Sequence, residues 1–262
     1  MKKILLLACL SSGLFASAQM KEGKVVYERT TQMRIRMQNP EVANMIPQSR
    51  KDNFELLFSN NQSLWQYLPN ADGNDGTVAG NGMVFRMGGN NDITYTNLNT
   101  RKRVEQREMF DREYLVEDSV RSLSWKLSDE TKTILGHVAR KATAERIGVR
   151  SQMTMENGEM KRQEMPDTSV VTAWFATDIP VAVGPLEYQG QLPGAILELN
   201  LNNGRVVFQA VEISPKVSTS SIKEPKKGKR VTQEEYTKER DKLMQEMQKN
   251  MPAGRTMRIN SF

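Results

Sequence analysis

The residue types able to carry chemistry are few in this 262-residue chain, and their spacing narrows them further. There is one histidine, His137, and one cysteine, Cys9. A histidine-dependent triad would have to use His137, and no G-x-S-x-G, H-E-x-x-H or phosphate-loop spacing accompanies it. Paired carboxylates can serve as general acid and base, and Asp111/Glu113 and Glu117/Asp118 are the available pairs. At that density, charged residues on a strand more often form a wetted face. The catalytic assignment is therefore none, and the chain reads as a non-enzyme.

Methionine is the compositional oddity, at sixteen residues. Met153, Met155, Met160 and Met165 cluster around one hairpin candidate, and Met244, Met247, Met251 and Met257 cluster near the C-terminus. Thioethers are soft ligands suited to Cu(I). The first cluster is thus the alternative functional reading, a periplasmic Cu(I)-handling protein. The plain reading is that methionine fills irregular gaps in cores and interfaces, and no cofactor is assigned.

The elements that would position these residues read mainly as β. Val171–Ile213 is the organising stretch. Asn203-Gly204 carries a type I′ turn signal, since both residues tolerate positive φ. The implied pairs are Leu201–Val206, Leu199–Phe208 and Leu197–Ala210, all on one face. Upstream, Pro180, Gly184, Pro185, Gly190, Pro193 and Gly194 break any long element, so Asp178–Pro193 reads as an ordered crossover loop. Ser59–Gln62 reads as a four-residue hairpin loop, Asn157-Gly158 as another hairpin turn, and Ile134–Ile147 as strands despite near-helical apolar spacing. Thr232 and Glu235 form a capping box that opens a helix running to about Asn250. The expected fold is a curved antiparallel sheet, a meander or half-barrel, with a C-terminal α-helix.

Residues 1–18 combine Met1-Lys2-Lys3, an apolar run from Ile4 to Phe15 and Ala16-Ser17-Ala18, the pattern of a cleaved signal peptide. Residues 19–215 then form the β domain, 216–231 a basic linker (with Lys223–Arg230 its most charged part), and 232–262 the helix and tail. Removing the leader removes the cysteine, which excludes disulfides and thiolate chemistry in the mature protein. No other apolar run is long enough to span a bilayer as a helix. The formal net charge of +6 is a mild basic bias, and no aromatic-interleaved basic motif points to nucleic acid. The expected location is the periplasm or the periplasmic face of the outer membrane.

Within the central stretch, Gly184-Pro185, Tyr188 and the run Gly190-Gln191-Leu192-Pro193-Gly194-Ala195-Ile196-Leu197-Glu198 resemble the signature of the GLPGLI family, secreted proteins of Bacteroidetes-type bacteria. Trp174-Phe175 and Asp178-Ile179-Pro180 resemble the segment leading into it, and Val25–Tyr27 and Trp125–Ala142 its remaining blocks. Gln191 and Ala195 depart mildly from the motif. Where the family often has Tyr and Cys, this chain has His137 and Ala139, so no thiol role carries over. The resemblance implies no established chemistry. It implies a partner, a TonB-dependent outer-membrane transporter, because genes of such proteins often neighbour one. The expected function is an exported envelope accessory or binding protein. Its contact surface is the concave side of the sheet with Trp174, Tyr188, Leu192, Pro193 and Gly194. The competing reading of that loop is structural: proline and glycine fix the crossover while the aromatics plug the sheet.

Overall fold

The computed structural model describes residues 20–32, 48–69, 77–80, 83–86, 92–109, 111–156 and 159–250. Residues 1–18, Met33–Met37, Asn157-Gly158, Met251 and Met257 lie outside them. So do the side chains of 77–80, 83–86 and 149–164 and of parts of the late helix.

Twelve strands form one open sheet, not closed into a barrel. Strands β1 (Gly23–Gln32), β2 (Ser49–Ser59), β3 (Gln62–Leu68), β6 (Ile93–Asn97), β7 (Lys102–Met109) and β8 (Arg112–Ser119) run outward from β1 as an antiparallel meander. Strands β9 (Lys126–Ile134), β10 (His137–Glu156), β11 (Glu159–Ala176), β12 (Ala195–Leu201) and β13 (Val206–Ser214) run from the far edge back to β1. Strands β4 (Thr77–Gly80) and β5 (Met83–Arg86) pair with each other as a separate ribbon.

The chain connectivity forces the sheet to curl. Strands β8 and β9 lie ten positions apart in the sheet, about 48 Å if it were flat. They are joined only by residues 120–125, which reach at most about 25 Å when fully extended. The two arms must therefore bend toward each other, and the face they enclose becomes the core. Val25, Tyr27, Phe54, Leu56, Phe58, Trp65, Phe208, Leu199, Ala173 and Phe175 are buried there.

Local turn chemistry sets the hairpins. Asn202, Asn203 and Gly204 all have positive φ (53°, 55° and 85°), one residue more than the turn signal needs, and Leu201 pairs with Val206 and Leu199 with Phe208 as expected. The Ser59–Gln62 loop is tighter than the four residues expected. Asn60 and Asn61 alone form the turn at φ 50° and 57°, because asparagine tolerates the left-handed region, and Ser59 pairs directly with Gln62. Ile134–Ile147 is strand, broken by a turn at Leu135-Gly136, both with positive φ.

The basic stretch after β13 is no free tether. Val217 and Ile222 pack against Leu57, Leu64 and Tyr95 on the outer face of the sheet. Lys229–Thr232 then adds β14 in parallel to β8. Apolar residues within a charged run found a partly apolar face to cover. Helix α1 (Gln233–Asn250) starts at the expected capping box: Glu235 N–H donates to Thr232 Oγ1 at 3.2 Å and Thr232 N–H to Glu235 Oε2 at 2.8 Å. Tyr236 anchors its first turn edge-to-face on Tyr114, with ring centroids 5.5 Å apart. Among the described residues, no helix is long and apolar enough to cross a membrane.

Candidate functional site

Register decides what the inner face presents, because alternate residues of a strand share a face. One row across the sheet reads Leu56, Trp65, Thr94, Glu105 and Val116, and the next reads Phe58, Ser63, Thr96, Arg103 and Asp118. The inner face thus changes from aromatic on β2 and β3, through hydroxyls on β6, to charge on β7 and β8. Phe54 and Trp65 stack 5.0 Å apart, and Tyr67 meets Phe54 edge-on at 5.7 Å.

The charged part is a ladder. Arg107 Nε donates to Glu105 Oε2 at 2.7 Å, and Arg103 Nε lies 3.0 Å from Glu105 Oε1. Arg103 reaches Asp118 at 3.3 Å, and Arg121 approaches the same carboxylate at 3.6 Å. Arg107 also lies over the Tyr236 ring, 5.0 Å from its centroid. Beside this ladder, burial pushes the Asp92 carboxyl up to about 6, against the opposing pull of Arg107.

The crossover loop forms the other wall. Ile179, Val181 and Val183 are buried under the sheet, and the loop backbone pairs with the start of β12, Ile196 N–H donating to Val183 O at 2.8 Å. Tyr27 OH donates to Ile196 O at 2.6 Å from across the core. At the tip, Leu186 adopts φ +53°, a left-handed conformation that a leucine holds only under constraint from its surroundings. Gln189 is buried and accepts a hydrogen bond from Ser63 Oγ. Gln191 Oε1 accepts from Leu123 N–H and from Trp125 Nε1, at 3.1 and 3.0 Å.

Between the two walls lies a cavity of about 790 Å³, within the roughly 300–1,000 Å³ usual for small-ligand sites. Its lining carries six arginines (29, 103, 107, 121, 146 and 240) against four carboxylates, Asp92, Glu105, Asp118 and Glu187. Phe54, Trp65, Tyr67, Tyr188 and Tyr236 supply the aromatic part.

The residues singled out from sequence fall in different places. Tyr188 and Leu192 are buried, Tyr188 with its ring 6.4 Å from Trp125 and its edge on the cavity. Burial raises the Tyr188 phenol, while Arg146 beside it pulls the other way. Gly194 is packed so closely that a Cβ there would sit 2.2 Å from the Ala176 carbonyl oxygen, and Pro193 is exposed. Trp174 is on the outer face, under Lys132 at 4.4 Å and Lys141 at 5.9 Å, away from Tyr188. His137 Nδ1 lies 2.7 Å from Asp178 Oδ2 at an exposed position. Glu113 and Glu117 are taken up in surface ion pairs with Lys227 and Arg230. In the β10–β11 ribbon, Met155 pairs with Met160, whereas Met165 pairs with Arg150 at a strand position of opposite parity to Met153 and Met155. Among the described residues, no cluster of histidine, cysteine and carboxylates could hold a metal ion.

Sequence reasoning missed Arg103, Glu105 and Arg107. Their alternation along one strand was the available signal. Pairing of Arg103 with Thr96 and of Glu105 with Thr94 puts the three on the inner face.

Residues 125–198, from the start of β9 into β12, match the model of a family described as a protein of unknown function (Porph_ging). No curated protein matches the chain. Two solved structures of PNGF-II, in the P21 and C2 space groups, are similar at 14% identity and a TM-score of 0.49. The similarity covers 83% of this chain and 32% of that one, so the chain spans about a third of its length. At that score the likeness carries no argument about function.

Proposed function

We propose that this is an exported, non-enzymatic binding protein of the cell envelope whose ligand site is the concave cavity. The observation carrying the reading is the cavity itself, about 790 Å³ between an aromatic floor, an arginine ladder and the crossover loop. Such a space, with a few convergent polar groups, is what a small-ligand site requires. The arginines and carboxylates within it are largely bonded to one another, which suits holding a ligand better than moving protons.

The resemblance to the GLPGLI family, supported by the match of residues 125–198 to the family of unknown function, extends the reading. It adds membership of that family, export by a leader at residues 1–18, residence at the periplasmic face of the outer membrane, and service to a TonB-dependent transporter. Pro193 is exposed and Trp174 is partly exposed beneath Lys132, so both can meet a partner. Tyr188 acts from the core by shaping the cavity wall, while Leu192 packs within the core.

The test is photo-cross-linking in the native envelope. A photoreactive residue at Leu123, beside the cavity, should give repeated links to one outer-membrane transporter, and the same residue at exposed Lys216 should not. Self-links alone at good yield, or equal capture from both positions, would sink the accessory reading. Replacing Tyr188–Gly194 is unsuitable for this purpose, because these residues hold the core together.

A further inference from the structure

The chemistry lining the cavity defines a class of ligand, given that the cavity is the binding site. Six arginines and four carboxylates line the cavity, and Asp52 and Asp241 just outside the lining pair with Arg29 and Arg240, so positive charge is available only where those pairs are loose, and low-dielectric walls focus its field. The inner guanidiniums are held at short range, as in Arg107 to Glu105 at 2.7 Å. Two of those nearer solvent are not. Arg121 is 3.6 Å from Asp118 and Arg146 is 3.6 Å from Glu187. The third, Arg240, is held at 2.9 Å by the adjacent Asp241 on its own helix. Strong guanidinium–anion pairs close to about 2.7–2.9 Å, so Arg121 and Arg146 sit in loose pairs that an arriving anion can displace. In the same lining, Tyr67, Leu123 and Leu186 offer partly exposed apolar surface, Leu186 from a left-handed backbone conformation.

We infer that the cavity binds an amphiphilic anion. A ring-sized apolar body lies against Tyr67, Leu123 and Leu186, and a carboxylate, sulfonate or phosphate group is gripped by Arg121, Arg146 and Arg240. The arrangement selects against both halves of such a molecule alone. A bare inorganic anion forfeits the apolar contact, and a neutral ring leaves the guanidiniums in their loose pairs.

The test titrates the exported protein with naphthalene-2-sulfonate, followed by calorimetry and tryptophan fluorescence. The expected result is saturable one-to-one binding, with 2-naphthol and inorganic sulfate each weaker by about tenfold or more, roughly 1.4 kcal/mol. The double variant Arg121→Gln/Arg240→Gln, both side chains at the surface, should weaken the sulfonate about tenfold and leave 2-naphthol unchanged. A charge change remote from the cavity, Lys216→Gln, should do nothing. Equal affinity for sulfonate and naphthol, an unaffected double variant, or no saturable binding by about 1 mM would overturn the inference. If the transporter cross-links from Leu123 persist in that case, only the ligand class has failed and the accessory reading stands.

Discussion

Gln191 and Trp125 are 66 residues apart, yet the Gln191 side-chain oxygen accepts the Trp125 indole N–H at 3.0 Å and the Leu123 backbone N–H at 3.1 Å. Its amide nitrogen donates to Glu187 O at 2.9 Å. One side chain therefore joins the short connection between the two arms of the sheet to the loop that fills the curl. Gln191→Leu removes the acceptor from two partly buried donors. The expected cost is about 1–3 kcal/mol, read by denaturant unfolding, with a changed near-ultraviolet signal from Trp125. Gln191→Glu keeps an acceptor oxygen and should recover part of the loss.

Gly194 illustrates a different constraint. A methyl group there would meet Ala176 O at 2.2 Å and Ala176 C at 2.8 Å. These are backbone atoms of the strand that pairs with β12, so they cannot swing aside. Gly194→Ala should destabilise by about 3 kcal/mol, at the upper end for overpacking. Pro193→Ala, exposed next door, should cost far less. A Gly194→Ala thermal midpoint equal to that of the parent would contradict the packing account.

Asp92 should make both stability and binding depend on pH. Its carboxyl ionises at about 6 rather than near 3.8, because burial penalises the charge. The sign follows from that direction. Charging Asp92 costs the folded state more than the unfolded one, so the penalty is absent at about pH 4, grows through 6 and is complete above it. The charged groups facing it are Arg107, Glu105 and Glu108 on β7, and the Tyr236 phenol of helix α1 couples to it. Asp92→Asn should raise stability at pH 7.5 by about 1–2 kcal/mol. It should also flatten the expected strengthening of naphthalene-2-sulfonate binding as pH falls through 6. A parent protein whose binding weakens over that range would refute the assignment.

Much of the architecture was legible because its causes are local. Asn203-Gly204 needs only two residues that accept positive φ, and Thr232 with Glu235 needs only a four-residue box. Other features depended on distant partners. The Asn60-Asn61 turn was read as longer because asparagine is a weaker turn signal than glycine. β14 was hidden in a charged run, since a strand that adds to an existing edge needs no apolar periodicity of its own. The arginine ladder was hidden for the opposite reason. Arg103, Glu105 and Arg107 look like a wetted strand face until the curl encloses them. That curl was nonetheless implied, because residues 120–125 are too short to join two edges of a flat sheet. Trp174 and Tyr188 were grouped as neighbours in sequence, but strand alternation and the loop send them to opposite faces.

Tyr236 ties helix α1 to the cavity wall through Tyr114 and Arg107. Tyr236→Ala should loosen the first turns of the helix, seen as faster amide exchange over residues 233–240. It should also weaken sulfonate binding severalfold. Exchange in β12 and β13, on the far side of β1, should stay as in the parent. Unaltered exchange over 233–240 would mean that the helix is held by something other than this ring.

The most direct measurement of the cavity as binding site is hydrogen–deuterium exchange with and without saturating naphthalene-2-sulfonate. The account predicts new protection concentrated at residues 186–191, along β7 and over 233–240, the elements that line the cavity. Protection confined to the outer face around Trp174 or to the β10–β11 ribbon, with the cavity walls unchanged, would contradict it.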